Sequence, residues 1–146
     1  MIAYFDTSAL IPLLVDERGS ERASRLWDVA DNVVAVRLIY AEARAALAQA
    51  TRLGRLSATN LDATIDALDG LYANLDLLEI DERLVRRAGE LAQHHALRGY
   101  DAVHLAAAER IRDDTTVMVA GDRDLCAAAR TLGMAVADTA AEDDGE

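Results

Sequence analysis

The sequence predicts an α/β fold, a three-layer α/β/α sandwich in which helices cover both faces of a central parallel sheet. Short apolar runs of the kind that form buried strands alternate along the chain with longer stretches of helical periodicity. This alternation favours parallel pairing, because each helix carries the chain back to the same end of the sheet. No internal repeat interrupts the pattern, so we expect a single domain.

The elements follow one another in a regular order, beginning with a buried strand at residues 2–5. A short helix over residues 8–15 comes next and contains Pro12, the only proline, which is tolerated in a first helical turn. Gly54 is placed to end one helix and Ser57 to begin the next. Further strands are predicted at residues 32–36, 75–80, 116–120 and 134–137. Further helices are predicted at residues 20–30, 38–53, 57–74, 82–97, 101–112 and 124–132.

With 146 residues the chain is long enough to bury a core. We expect a folded domain over residues 1–138 and an acidic, flexible tail over residues 139–146, which lacks large apolar groups. The single cysteine, Cys126, cannot form an internal disulfide, and the first residues lack the cationic segment of a signal peptide. No apolar stretch approaches the roughly 20 residues that span a bilayer. These observations predict a cytoplasmic protein without membrane contact.

The charge of the chain limits the kinds of function it can have. A formal net charge of −11 argues against a protein that coats nucleic acid by electrostatics, but not against an enzyme that uses a metal and local arginines. All 15 basic residues are arginine, and the absence of lysine excludes a P-loop, a Schiff-base enzyme and a kinase-type site. Aromatic residues make up only 4% of the chain, so a base-stacking platform is not expected.

Two aspartates come directly after predicted strands. Asp6 ends the first strand, and Asp122 follows the strand at residues 116–120 after one glycine. In open α/β sheets, ligands bind at the carboxyl ends of the strands. Asp6 could equally cap the helix that follows it, and Asp124 is interpreted as the cap of the last helix or as a carboxylate outside the first ring of ligands.

Two further acidic residues lie on predicted helices. Glu42 has no cation three or four residues away, so its burial would require a distant cation or a metal, unless this helix face is exposed. Asp101 opens a helix, where the helix dipole favours a negative charge, and this also allows a purely structural role. His104, one turn later, is interpreted as a packing or hydrogen-bonding residue rather than a ligand.

A parallel sheet can bring to one edge the four acids from separate elements, namely Asp6, Glu42, Asp101 and Asp122. Crowded carboxylates repel one another and raise one another's pKa unless a cation neutralises them. Oxygen-only ligands suit a hard ion such as Mg²⁺ or Mn²⁺. Such an ion supports phosphodiester hydrolysis, because it lowers the pKa of a bound water and offsets negative charge in the transition state.

On these residues the chain resembles the PIN-domain ribonucleases, and specifically the VapC-type toxins of type II toxin–antitoxin pairs. The matching segments are YFDTSAL at residues 4–10, AE at 41–42, YDAVHLA at 100–106 and GDRDL at 121–125. The resemblance extends to about residue 138 and implies a PIN-like α/β/α sandwich with Mg²⁺-dependent endoribonuclease activity, for which Mn²⁺ can substitute. It departs at Ala120, where many relatives carry Thr or Ser. The implied catalytic and metal-binding residues are Asp6, Glu42, Asp101 and Asp122, with Ser8 and Asp124 in supporting positions.

The same resemblance implies partners. They are an RNA substrate such as tRNA or rRNA, a cognate antitoxin protein and a second copy of the chain in a homodimer, with DNA reached only through the antitoxin. Two alternatives stay open at this point. One is a PIN-like nuclease that acts in RNA processing or on DNA structures without an antitoxin. The other is a regulatory module that binds a divalent ion without catalysis.

Overall fold

A computed structural model describes residues 1–142 of the chain. Within them, one sheet contains the strands β1 (Ile2–Phe5), β2 (Asn32–Val36), β3 (Asp76–Leu78), β4 (Thr116–Ala120) and β5 (Ala135–Asp138). The α-helices are α1 (Thr7–Leu10), α2 (Ser20–Val29), α3 (Ile39–Arg52), α4 (Ala58–Ala73), α5 (Glu82–His95), α6 (Gly99–Ile111) and α7 (Arg123–Thr131). A short 3-10 helix, Ile11–Leu13, follows α1 directly.

The strands lie in the order β3-β2-β1-β4-β5, and every neighbouring pair is parallel. The chain runs outward from β1 to β3 on one side and then crosses back to β4 on the other. The direction of winding therefore reverses between β1 and β4, and in such sheets this reversal leaves a crevice at the carboxyl ends of the strands. Phe5 at the end of β1 lies opposite Val119 in β4. The loops that follow these two strands consequently begin side by side.

Both faces of the sheet carry buried side chains, as a three-layer sandwich requires. Tyr4 of β1 faces α5, α6 and α7, in a core that includes Leu84, Leu91, Leu105 and Leu125. Phe5 faces the opposite layer, where its ring packs edge-on against Trp27 of α2 with the centroids 5.4 Å apart. The same layer continues into a core of Leu10, Ile39, Leu47 and Leu68. The predicted α/β/α sandwich is confirmed.

The predicted strands and helices are confirmed, with most ends shifted by one or two residues. The helix expected at residues 8–15 is an exception, because α1 ends at Leu10 and a 3-10 turn replaces the rest. Pro12 has no N–H to donate to a carbonyl four residues earlier, which accounts for the change. The strand expected at residues 75–80 is also shorter, because β3 contains only Asp76–Leu78.

The ordered chain extends beyond the predicted boundary at residue 138. Thr139 is only 3% exposed, and its N–H donates to the carbonyl of Ala120 at 2.9 Å, so the prediction that a flexible tail begins at residue 139 is wrong at that residue. Gly19, with φ of +93°, packs so closely that a Cβ atom there would lie 2.5 Å from the Thr139 carbonyl oxygen. Residues 143–146 of the predicted tail lie outside the described residues.

None of the helices found in residues 1–142 is long and apolar enough to cross a membrane.

Candidate active site at the carboxyl edge of the sheet

The four acids predicted to converge do lie together at the carboxyl edge of the sheet. They border one cavity of about 430 Å³. Each comes from a different place in the fold: the end of β1, the first turn of α3, the first turn of α6 and the residue before α7. The polar lining consists of Asp6, Thr7, Ser8, Glu42, Gln49, Arg98, Tyr100, Asp101 and Asp122.

Asp6 is 3% exposed and both caps a helix and faces the cavity. Its Oδ2 accepts hydrogen bonds from the Ser8 N–H at 3.1 Å and from the Ser8 hydroxyl at 2.5 Å. The Ser8 oxygen accepts in turn from the N–H of Gly121 at 2.8 Å, which joins the loop after β1 to the loop after β4. Ser8 therefore holds one oxygen of Asp6 and leaves the other available, so the capping role does not compete with a role in the site.

Glu42 is held at the cavity wall by two hydrogen bonds to one oxygen. Its Oε1 accepts from the Thr7 hydroxyl at 3.0 Å and from Nε2 of His104 at 2.6 Å. The side chain is 18% exposed, so the alternative that this helix face is open to solvent is wrong. The hydrogen-bond donor that holds Glu42 at the cavity wall comes from α6, 62 residues away in the chain.

His104 is fully buried beneath the site and connects it to the core. Its Nε2 carries the proton that Glu42 accepts, because a carboxylate can only accept, and it also lies 3.4 Å from Oδ1 of Asp6. Its Nδ1 lies 2.9 Å from the hydroxyl of Tyr4, which accepts from the N–H of Val36. Burial alone lowers the pKa of His104, but the charges of Asp6 and Glu42 outweigh it and raise the pKa above its ordinary value.

Arg98 joins the other two acids. Its Nε donates to Oδ2 of Asp101 at 2.9 Å, and its Nη2 lies 3.4 Å from Oδ2 of Asp122. The guanidinium also lies 5.0 Å from the centre of the Tyr100 ring. Burial raises the pKa of Asp101, against the opposing hydrogen bond from Arg98, and the nearby charge of Asp6 raises it further.

The cap of α7 is Asp122 rather than Asp124. Oδ1 of Asp122 accepts from the N–H of Leu125 at 2.9 Å. Asp124 lies in the first turn, is exposed and does not line the cavity, so its predicted role as the cap is wrong. Its carboxylate makes no hydrogen bond or ion pair within residues 1–142, which leaves the predicted supporting role without a contact in the described chain.

Hydrogen bonds from protein groups hold all four acids in this arrangement. Among residues 1–142, no three acidic, histidine or cysteine side chains are arranged to hold a metal ion as they stand. One oxygen each of Asp6, Glu42 and Asp101 nevertheless accepts no hydrogen bond within those residues. Anionic oxygens of this kind are the ligands that Mg²⁺ and Mn²⁺ prefer, so the donor set fits a hard divalent cation if the side chains close around it.

Several residues of the site could not be assigned from the sequence. The expectation that His104 makes hydrogen bonds is confirmed, but its partners are the acids of the site. Thr7 and Tyr4 contact Glu42 and His104 respectively, and nothing in their spacing indicates this. Arg98 does carry a signal, because it lies three residues before Asp101, the spacing at which helical side chains meet.

Comparison with known proteins identifies the family to which this chain belongs. The PIN domain model matches residues 3–131. Ribonuclease VapC45 from Mycobacterium tuberculosis is 44% identical over 137 residues, which cover 93% of this chain and 94% of that protein. The solved structure of Mycobacterium tuberculosis VapC20, a sarcin-ricin loop cleaving toxin, is 21% identical with a TM-score of 0.65, over 86% of this chain and 94% of that one. A toxin–antitoxin complex from Klebsiella pneumoniae is 20% identical with a TM-score of 0.60, over 84% of this chain and 88% of that one.

Proposed function

Because this chain belongs to the PIN-domain family and, within it, to the VapC ribonucleases, we propose that its acidic cavity is the active site of a metal-dependent endoribonuclease. Membership of the family makes the chain a VapC-type ribonuclease of the toxin–antitoxin kind. It does not favour a nuclease of RNA processing or an ion-binding module without catalysis. The cytoplasm, where RNA is abundant, is the proposed place of action.

One observation carries the assignment of the site. Four carboxylates from four separate elements border a single cavity, and three of them keep an oxygen that accepts no hydrogen bond within residues 1–142. Bringing several buried or half-buried carboxylates together costs free energy unless a cation neutralises them. An arrangement with this cost is typical of a metal-dependent hydrolytic site.

The ion proposed is Mg²⁺, with Mn²⁺ as a substitute, and it would supply a more acidic bound water and neutralisation of charge on the phosphate. Asp6 and Asp101, the two most buried acids of the set, would be the principal ligands. Glu42 would contribute through the oxygen that Thr7 and His104 leave without a hydrogen bond. Both oxygens of Asp122 are already used, so it would act through water or after Arg98 moves.

The neighbouring side chains have positioning roles in this proposal. Ser8 fixes the orientation of Asp6 through its hydroxyl and its N–H. His104 fixes one oxygen of Glu42, and Tyr4 holds the ring of His104 from the other side. The carboxylates would then need little rearrangement when the cation binds, which lowers the cost of forming the loaded site.

We also propose a cognate antitoxin and a homodimer as partners. The Klebsiella pneumoniae neighbour is a toxin–antitoxin complex, and the shared family supports the same kind of partner here. The acidic character of the chain, with a net charge of −11, suits an antitoxin segment that carries basic residues. DNA would be contacted through the antitoxin. The homodimer stays a prediction from the family resemblance.

Cleavage assays on the purified protein test the proposed function. Total tRNA and ribosomal RNA, each incubated with Mg²⁺, with Mn²⁺ and with EDTA, should give discrete fragments only when a metal is present. Mn²⁺ binding measured by calorimetry without cleavage of either RNA would instead favour an ion-binding module. Equal cleavage in EDTA would contradict the metal-dependent mechanism.

A further inference from the structure

A second cavity adjoins the acidic one. It has a volume of about 360 Å³, and three residues, Ser8, Ala46 and Gln49, line both cavities. The two spaces therefore form one groove along the carboxyl edge of the sheet. The acids lie in one half of this groove, and the other half contains two arginines, Arg18 and Arg55.

Helix α3 forms a wall common to both halves. Glu42, Ala46 and Gln49 are spaced by four and then three residues, so they lie on one helix face and lead from the acids into the second cavity. Ala45 and Ala50 line the groove beside them. Small side chains along this wall leave space for a polymer strand to lie against the helix.

Both arginines are available to bind a ligand. Arg55 is exposed, and its guanidinium makes no ion pair or hydrogen bond with any other side chain among residues 1–142. Within residues 1–142, Arg18 pairs only with Glu142, at 3.4 Å, and both side chains are more than half exposed, so the pair contributes little. One acid, Glu17, also lines this half, so the lining carries two cations against one carboxylate, a local exception in a chain with a net charge of −11.

We infer that this half of the groove binds the RNA backbone next to the cleaved bond, with Arg55, aided by Arg18, contacting a neighbouring phosphate. The inference rests on the proposed function, because an endonuclease substrate extends on both sides of the bond that is cut. A guanidinium matches a phosphate with two parallel hydrogen bonds. With few aromatic residues for base stacking, contacts to the backbone are the chemistry available here.

Binding measurements with a cleavage-defective protein test the inference. Asp6→Asn is combined with Arg55→Gln, and the affinity for a fluorescein-labelled single-stranded oligouridine is measured by anisotropy in Mg²⁺ over a range of salt concentrations. Losing one phosphate contact should weaken binding roughly 3- to 10-fold and reduce the slope of log K against log salt by about 0.7. Arg55→Lys should keep most of the slope but lose part of the affinity, because Lys retains the charge without the bidentate geometry.

Arg52→Gln is the matched control. Arg52 is an exposed arginine in the last turn of α3 that lines neither half of the groove. It should bind RNA like the parent, and thermal melts should show that both glutamine variants fold. Equal effects of Arg55→Gln and Arg52→Gln would overturn the inference. So would an Arg55→Gln protein that binds RNA normally but loses affinity for its antitoxin, because the groove would then belong to the protein partner.

Cleavage by the chain with Asp6 intact distinguishes failure of the groove inference from failure of the proposed function. If that chain cuts RNA in Mg²⁺ or Mn²⁺ and Arg55→Gln behaves like Arg52→Gln, the groove inference fails while the proposed function stands. If that chain cuts no RNA in either metal, the proposed function fails and the inference falls with it.

Discussion

Replacing Tyr4 by Phe tests the buried hydrogen-bond chain that connects the acids to the core. The Tyr4 hydroxyl accepts from the N–H of Val36 at 3.2 Å and lies 2.9 Å from Nδ1 of His104. Burial raises the pKa of Tyr4 well above its ordinary value, so the hydroxyl stays protonated. Phenylalanine keeps the packing of the ring but removes the partner of two buried polar groups.

The magnitude follows from what the substitution leaves unpaired. A buried polar group without a partner costs about 1–3 kcal/mol, so two such groups, partly relieved by water, should lower the free energy of unfolding by about 2–4 kcal/mol. A domain is stable by only about 5–15 kcal/mol, so this is a large fraction of the total. At roughly 2–4 °C per kcal/mol, the melting temperature should fall by roughly 5–15 °C.

Urea denaturation followed by circular dichroism in EDTA measures this loss. Tyr40→Phe is the control, because the Tyr40 hydroxyl donates at 2.7 Å to Asp69 at an exposed position. Its loss should change the free energy of unfolding by no more than about 0.5 kcal/mol. A loss of unfolding free energy for Tyr4→Phe that is no larger than that of Tyr40→Phe would show that the buried hydrogen bonds of Tyr4 do not stabilise the fold.

Four other substitutions test individual side chains. Arg98→Gln removes an exposed cation whose ion pairs with Asp101 and Asp122 contribute about 0–1 kcal/mol, so it should raise the affinity for Mn²⁺ by up to about five-fold. Calorimetry that shows an unchanged or lower affinity would contradict competition between Arg98 and the metal. Asp122→Ala removes the cap of α7 and should lower the free energy of unfolding by about 0.5–2 kcal/mol, whereas Asp124→Asn should lower it by less than about 0.5 kcal/mol in the same urea assay. Equal losses would count against Asp122 as the cap. Hydrogen bonds from Arg110 and from the first turn of α5 lower the pKa of Asp81 from its ordinary value of 3.8 to about 2, so the ionised carboxylate stabilises the fold above pH 3.8 and this stabilisation disappears as the pH falls toward about 2. Asp81→Asn should therefore flatten the dependence of the free energy of unfolding on pH in that window. An unchanged acid profile would contradict the pairing.

The layout of the fold and the positions of the acids could be predicted because both depend on local signals. Short apolar runs between helical stretches predict a parallel sheet, and its order then places the residues after β1 and β4 together. Asp6 and Asp122 follow from this rule alone. Glu42 could be added because no local cation offsets its burial, a fact visible within one helical turn of the sequence.

The remaining features depend on contacts between distant segments. The bond between His104 and Glu42 joins residues 62 positions apart, and that between Tyr4 and His104 joins residues 100 apart. No spacing rule predicts such pairs. The sequence favours Asp124 over Asp122 as the cap of α7, because sequence signals locate helix ends only to within one or two residues, and that margin is enough to exchange the two aspartates.

Cleavage of RNA by Asp6→Asn tests whether the acidic cavity is a metal-dependent active site. Asparagine keeps the size of the side chain and an oxygen that can accept from Ser8, but it removes the negative charge that a hard cation requires. The variant should fold, bind Mn²⁺ more weakly and cut RNA more slowly by orders of magnitude, while Asp124→Asn, which removes a charge outside the cavity, should cut like the parent. If Asp6→Asn cleaves RNA at the parent rate in Mg²⁺ or Mn²⁺, the acidic cavity is not a metal-dependent active site.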